Sequence, residues 1–174
     1  MPPVQKHMFR ARLRDALIFW LYIPAAVIGG GWGADFLLQL PSPAFPRRPV
    51  QGLAAVLLIG GVLLIQKATL DFRRIGSGTP NPQDPPVRLV TQGSYALCRH
   101  PMYLGYDLAA LGTILLFRSW GMLLIAFPLL LVGQVAALKK EEARLERRFG
   151  AEYGRYRRRV PFLLPNPFSG RKPS

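Results

Sequence analysis

The chain has 174 residues, half of them hydrophobic, and its 23 Lys+Arg against 9 Asp+Glu give a formal net charge of +14. A single cysteine, Cys98, excludes an internal disulfide framework and a cysteine-based zinc or iron–sulfur site. A soluble nucleic-acid binder spreads its charge over a polar surface, but here mean hydropathy is positive at +0.18. Charge and hydrophobicity must therefore be segregated along the chain, which is the pattern of a membrane protein with basic loops and not of a nucleic-acid partner. The length suits a single membrane domain over residues 1–174.

Four apolar stretches follow in chain order: 16–40, 50–70, 102–117 and 120–138. A bilayer core takes roughly 20 apolar residues, with about 17–25 the usual range. The first, second and fourth qualify. The third rises only about 24 Å against a core of about 30 Å, so its N-terminus is expected to sit partly sunk in the bilayer. The first stretch is too long for a signal peptide and lacks a small-residue cleavage site after it. Within it, Pro24 predicts a kink and Gly29-Gly30-Gly31 a close helix contact.

Orientation follows from the basic residues. The N-terminal arm, the 67–100 segment and the tail after Leu138 hold 20 of the 23; only Arg47, Arg48 and Arg118 fall on the other side. The expected fold is thus an all-α integral membrane protein. It has four transmembrane helices, both termini cytoplasmic, and an amphipathic C-terminal helix over 139–160. In that helix Leu145, Phe149, Tyr153, Tyr156 and Val160 form one apolar stripe. The 71–100 loop contains GSGTPNPQDPP, which is neither helix nor strand, and long irregular loops of this kind are often functional.

Chemistry-bearing residues cluster after that loop. Pro101 suits the first position of a helix and holds His100 extended at its entrance, where free backbone N–H groups favour anions. Arg99 adds a planar clamp for a carboxylate, and Tyr95 and Tyr103 flank it. The plainer reading is that Arg99 reaches lipid phosphates and the tyrosines form an interfacial belt. Glu141 and Glu142 lie just past the fourth span, where a helix end already carries partial negative charge. They suit a ribose hydroxyl or a cationic group, or else a solvated mixed-charge face. Asp107, inside the third span and one turn from Tyr103, is a functional candidate or that tyrosine's hydrogen-bond partner. Asp35 and Asp71, near span ends, carry little signal. Cys98 reads as a packed small residue and His7 as an arm residue, and two distant histidines give no metal site.

Taken together, Leu89 to Tyr95, Arg99-His100-Pro101-Met102-Tyr103-Leu104-Gly105, Glu141-Glu142, Phe149-Gly150, Glu152-Tyr153, Tyr156 and Val160-Pro161 form one ordered series. Over roughly residues 70–165 the chain resembles the integral-membrane methyltransferases that include isoprenylcysteine carboxyl methyltransferase and the phospholipid N-methyltransferases. The resemblance implies an S-adenosylmethionine pocket at the cytoplasmic face of the cell membrane, the inner membrane in a bacterium, with a lipophilic acceptor. Cofactor contacts then fall on Val87, Arg88, Leu89, Val90, Tyr95, His100, Pro101, Met102, Tyr103 and Glu141, and the candidate catalytic residues are Arg99 and Glu142. The C-terminal helix covers the cofactor. Prenylcysteine members carry an arginine associated with substrate four residues before the first glutamate, and here that position is Ala137, with Lys139 and Lys140 close by.

Two other functions compete. Membrane sterol and enone reductases use a similar Arg-His-Pro-x-Tyr entrance for NADPH, but they are typically longer and usually lack the Glu-Glu pair. A non-catalytic assembly protein leaves the ordered series unexplained.

Overall fold

The computed structural model describes residue 17 and residues 21–76 and 88–165. His7, Val87, most of the Pro-rich loop and the last basic residues of the tail lie outside the described residues. The fold is all-α. Helix α1 is Ile23–Leu37, α2 is Arg47–Gly76, and a 3-10 turn covers Gly93–Ala96. Helix α3 is Pro101–Phe117, a π-turn at Met122–Ala126 leads into α4, Phe127–Phe149, and α5 is Ala151–Arg159.

Two helical runs, Arg47–Gly76 and Met122–Phe149, are long and apolar enough to cross a membrane. Only 22% and 11% of their apolar windows are buried, which is not the profile of core helices in a water-soluble domain. Val56, Ile59 and Leu63 on α2 and Leu124, Leu129 and Val132 on α4 are exposed. Helix α3 is apolar but has 17 residues, a rise of about 26 Å.

The chain divides into two compact units. The first comprises Met1–Ala54 and Ala110–Gln134. Its core is Ile114, Met122 and Phe127, with Ile28, Leu111 and Leu123 packed against them. Ser119 Oγ accepts the Met122 N–H at 2.9 Å and so caps the start of the last apolar run. The Asp35 carboxylate accepts the Gly121 N–H at 2.7 Å, which gives this acidic residue a structural role. Of the Gly29–Gly31 run, only Gly31 makes a close approach, where a Cβ would fall onto Met122. Pro24 is the second residue of α1, directly after a π-helical turn at Leu21 and Tyr22.

The second unit comprises Ala55–Ala109 and Val135–Ser174. Here α2 and α3 meet at glycines: a Cβ on Gly105 would lie 2.7 Å from Ile65 Cγ1 and 2.8 Å from the Gly61 carbonyl oxygen. No larger residue permits that backbone approach. A cluster of Ala68, Val90 and Tyr95, with Phe72, Ile75 and Met102 against it, fixes the segment that precedes α3.

Residues 139–160 are divided. Residues 139–149 continue α4 without a break, and Gly150, at φ +52°, separates them from α5. A left-handed residue cannot continue a right-handed helix, and glycine adopts it without a Cβ clash. The apolar stripe keeps its function across the break: Tyr153 and Tyr156 are buried, and Leu145, Phe149 and Val160 are half-buried.

Candidate active site

The second unit gathers most of the residues singled out from sequence. Pro101 opens α3 and is fully buried, and His100 before it is 5% exposed. The His100 ring lies perpendicular to Tyr103, with centroids 6.3 Å apart. Val90 is buried and Met102 packs beside it against Tyr95, while Leu89 is half-buried and Arg88 is exposed. Val87 lies outside the described residues.

Glu142 is the centre of the arrangement. Its Oε1 lies 3.1 Å from Arg99 Nε and 3.3 Å from His100 Nε2. The carboxylate is buried and the Arg99 side chain is 10% exposed, so the pair is largely shielded from water. Glu141, one residue earlier, is half-buried and turns another face of α4. Successive helix residues point about 100° apart, so two adjacent carboxylates serve two different surroundings.

The chain after α5 closes over this pair. The Arg99 backbone N–H donates to the Pro161 carbonyl at 2.9 Å. The Phe162 ring lies 5.5 Å from the Arg99 guanidinium carbon and 5.0 Å, edge-on, from the His100 ring. Tyr156 Oη donates to the Tyr95 carbonyl at 2.8 Å. Tyr153, three residues earlier on α5, is fully buried. Tyr153 and Tyr156 are members of the apolar stripe and, with Pro161, of the ordered series; Phe162 carried no signal in the sequence, because its role depends on where α5 packs.

Burial dominates the titration of the site. It lowers the His100 pKa below its ordinary 6.5, against the opposing pull of the Glu142 charge. The ring is therefore neutral at pH 7. Burial pushes the Cys98 thiol up to about 11, which makes it a poor nucleophile. It also raises the phenols of Tyr95, Tyr153 and Tyr156, all of which stay protonated at neutral pH.

A cleft of about 500 Å³ opens beside the pair, lined by Arg99, Val135, Lys139, Glu142, Glu146 and Phe162, among others. That volume falls in the range of small-molecule sites, about 300–1,000 Å³. Lys139 is at the cleft; Lys140 is not among its lining residues. Asp107 is buried on α3, away from that lining. Among the described residues no group of three His, Cys, Asp or Glu is placed to hold a metal ion.

The family model for phospholipid methyltransferase matches residues 50–152, more than half of the chain, and the chain belongs to that family. It is 39% identical over 77 residues to the protein-S-isoprenylcysteine O-methyltransferase of Schizosaccharomyces pombe, covering 44% of this chain and 33% of that protein. It is 37% identical over 78 residues to methanethiol S-methyltransferase 2 of Bradyrhizobium diazoefficiens, covering 45% and 29%. It is also 37% identical over 87 residues to the protein-S-isoprenylcysteine O-methyltransferase of Mus musculus, covering 44% and 27%. The match thus spans a third or less of the length of these curated relatives. No solved structure matches the chain.

Proposed function

We propose that the protein transfers a methyl group from S-adenosylmethionine to a lipophilic acceptor held in a membrane. The observation that carries this reading is the shared Glu142 oxygen, which ties Arg99 and His100 together at the entrance of α3. Family membership supports the same chemistry, and the relatives named above are methyltransferases. No observation favours the NADPH reductase.

The residues present fit the donor. Arg99 Nη1 is buried and has no hydrogen-bond partner among the described residues, so a cationic donor is available to a polar ligand. Tyr95, Met102 and Val90 offer apolar surface to an adenine, and Arg88 and Leu89 border it. Glu141 suits the ribose diol or the ammonium group, and the N–H groups ahead of Tyr103 suit the carboxylate. Bound there, the donor supplies a methyl group activated by a sulfonium centre.

The chain's own part is alignment. Arg99 and Glu142 form both the wall of the cleft and the rim of the donor side, so they orient the acceptor atom toward the methyl carbon. Neutral His100 keeps Arg99 from being repelled by a second cation. Phe162 and the α5 tyrosines exclude water from the pair. In the same reading the chain crosses the membrane four times with both termini and the site cytoplasmic, because 20 of 23 basic residues fall on one side. The acceptor reaches the cleft from the lipid. The relatives' names include both O- and S-methylation, and a phospholipid amine is the third acceptor class.

Titration calorimetry on the detergent-purified protein tests the reading with S-adenosylmethionine, its demethylated product and NADPH. Binding of the first two and not of NADPH is expected. Binding of NADPH alone overturns the proposal. Labelled methyl donor incubated with a lipid extract then identifies the acceptor by the molecule that acquires label.

A further inference from the structure

We propose that Asp71 is a positioning residue for the methyl donor, acting through Gly93 and Ser94 on Tyr95; this rests on the methyltransferase reading. Asp71 lies near the end of α2, where sequence position alone made it a span-end acid. In the fold its carboxylate reaches across 23 residues to accept the Ser94 backbone N–H at 2.7 Å. A backbone amide bonded to a carboxylate is a strong, charge-assisted contact.

The contact does a defined job. Ser94 lies in the 3-10 turn Gly93–Ala96, whose N-cap residue, Gln92, gives it no side-chain hydrogen bond. Asp71 therefore supplies from another helix the acceptor that a capping side chain normally provides. Gly93 makes this possible. Its φ is +65°, and a Cβ there would fall onto the Asp71 carboxylate, 2.7 Å from Cγ. The absent side chain and the left-handed backbone open the approach together.

What the turn carries is Tyr95. Its ring packs on Phe72, the residue after Asp71, with centroids 5.9 Å apart. Its carbonyl accepts the Tyr156 hydroxyl. Tyr95 is thus held at three places: the turn by Asp71, the ring by α2, and the carbonyl by α5. Lys67 also contacts Asp71 at 3.2 Å, but its side chain is 60% exposed, and an exposed pair of this kind adds little. The Ser94 bond is the part of the latch that fixes the turn, and no residue of the turn lines the cleft.

Asp71→Asn and Asp71→Leu separate the possibilities. Asn keeps an oxygen for the Ser94 N–H without the charge; Leu keeps the volume without the acceptor. The dissociation constant for S-adenosylhomocysteine is expected to rise about tenfold in Asp71→Leu and less in Asp71→Asn, as befits loss of one charge-assisted hydrogen bond. With labelled S-adenosylmethionine and a lipid extract, the half-saturating donor concentration should rise in step. The rate at saturating donor should stay within about twofold of wild type. Hydrogen exchange of the 92–97 amides should quicken in both variants. Unchanged donor affinity with faster exchange overturns the proposal and makes the latch purely structural. A fall in saturating rate with unchanged donor affinity overturns it too. Should Asp71→Leu fail to fold, Asp71→Asn decides by the same readouts. If the wild-type protein itself binds no donor, the methyltransferase reading fails, and the exchange measurement still reports on the latch separately.

Discussion

His100 and Glu142, 42 residues apart in sequence, meet in the fold with Nε2 of the ring 3.3 Å from Oε1 of the carboxylate. The same oxygen lies 3.1 Å from Arg99 Nε. One buried carboxylate therefore orients two neighbouring residues that the chain delivers at the start of α3. Arg99 and His100 are adjacent in sequence, and the chain bends at Arg99 just before Pro101 opens α3, so both side chains reach the common oxygen.

Removing one partner of a buried ion pair leaves the other charge unpaired, at a cost of about 3–5 kcal/mol. Glu142→Ala is expected to lower stability by that amount and to abolish methyl transfer. Glu141→Ala should keep its melting temperature and lose donor affinity. Denaturant unfolding in detergent, with calorimetry on the folded fraction, measures both. Equal stability losses in the two variants would contradict the separate roles assigned to this pair.

His100 gives a pH dependence of definite sign. Unfolded, its ring titrates near 6.5; folded, burial holds it lower. On acidification the unfolded state takes up the proton first, so stability falls. The contribution is complete above about pH 6.5 and is lost as the pH drops through that value toward the folded pKa. The melting temperature should fall between pH 7 and 5 in the wild type, and His100→Gln should flatten that part of the profile. A wild-type melting temperature that rises on acidification rules this account out.

Cys98 is fully buried, its thiol is raised to about 11, and it is the sole cysteine in the chain. A maleimide at pH 7 should leave the native protein unmodified over an hour and label it stoichiometrically in denaturant. Mass spectrometry reads the result directly. Rapid native labelling would show that the segment before α3 opens freely.

Tyr156→Phe deletes the donor to the Tyr95 carbonyl and leaves the ring packing in place. The expected loss is about 1–2 kcal/mol, because the carbonyl stays buried. Donor affinity should weaken, since the same carbonyl belongs to the turn that we propose positions the donor. Unchanged stability and unchanged affinity together would detach α5 from the site.

Several features were legible before any coordinates. The apolar runs marked the helices, because a helix that meets lipid must be apolar over most of its circumference. Pro101 marked the start of α3, and the ordered series from Leu89 to Pro161 marked the region of the site. The stripe from Leu145 to Val160 identified the buried face of the C-terminal segment correctly, even though Gly150 breaks it into two helices. Asp71 and Asp35 gave no signal, since each acts on a backbone N–H that side-chain identity does not reveal.

The sequence by itself therefore determined the order of the candidate site residues and which stretches are apolar. Local periodicity and local backbone preference are short-range properties, and both are written in neighbouring side chains. Only the tertiary structure decided the partners. It turned Glu142 toward Arg99 and His100, placed Lys139 at the cleft, and laid Phe162 against the arginine. Those choices depend on helix rotation and on approaches such as that of Gly61 to Gly105. A rotation of about 100° would exchange Glu141 for Glu142, and no pattern within one segment specifies that angle.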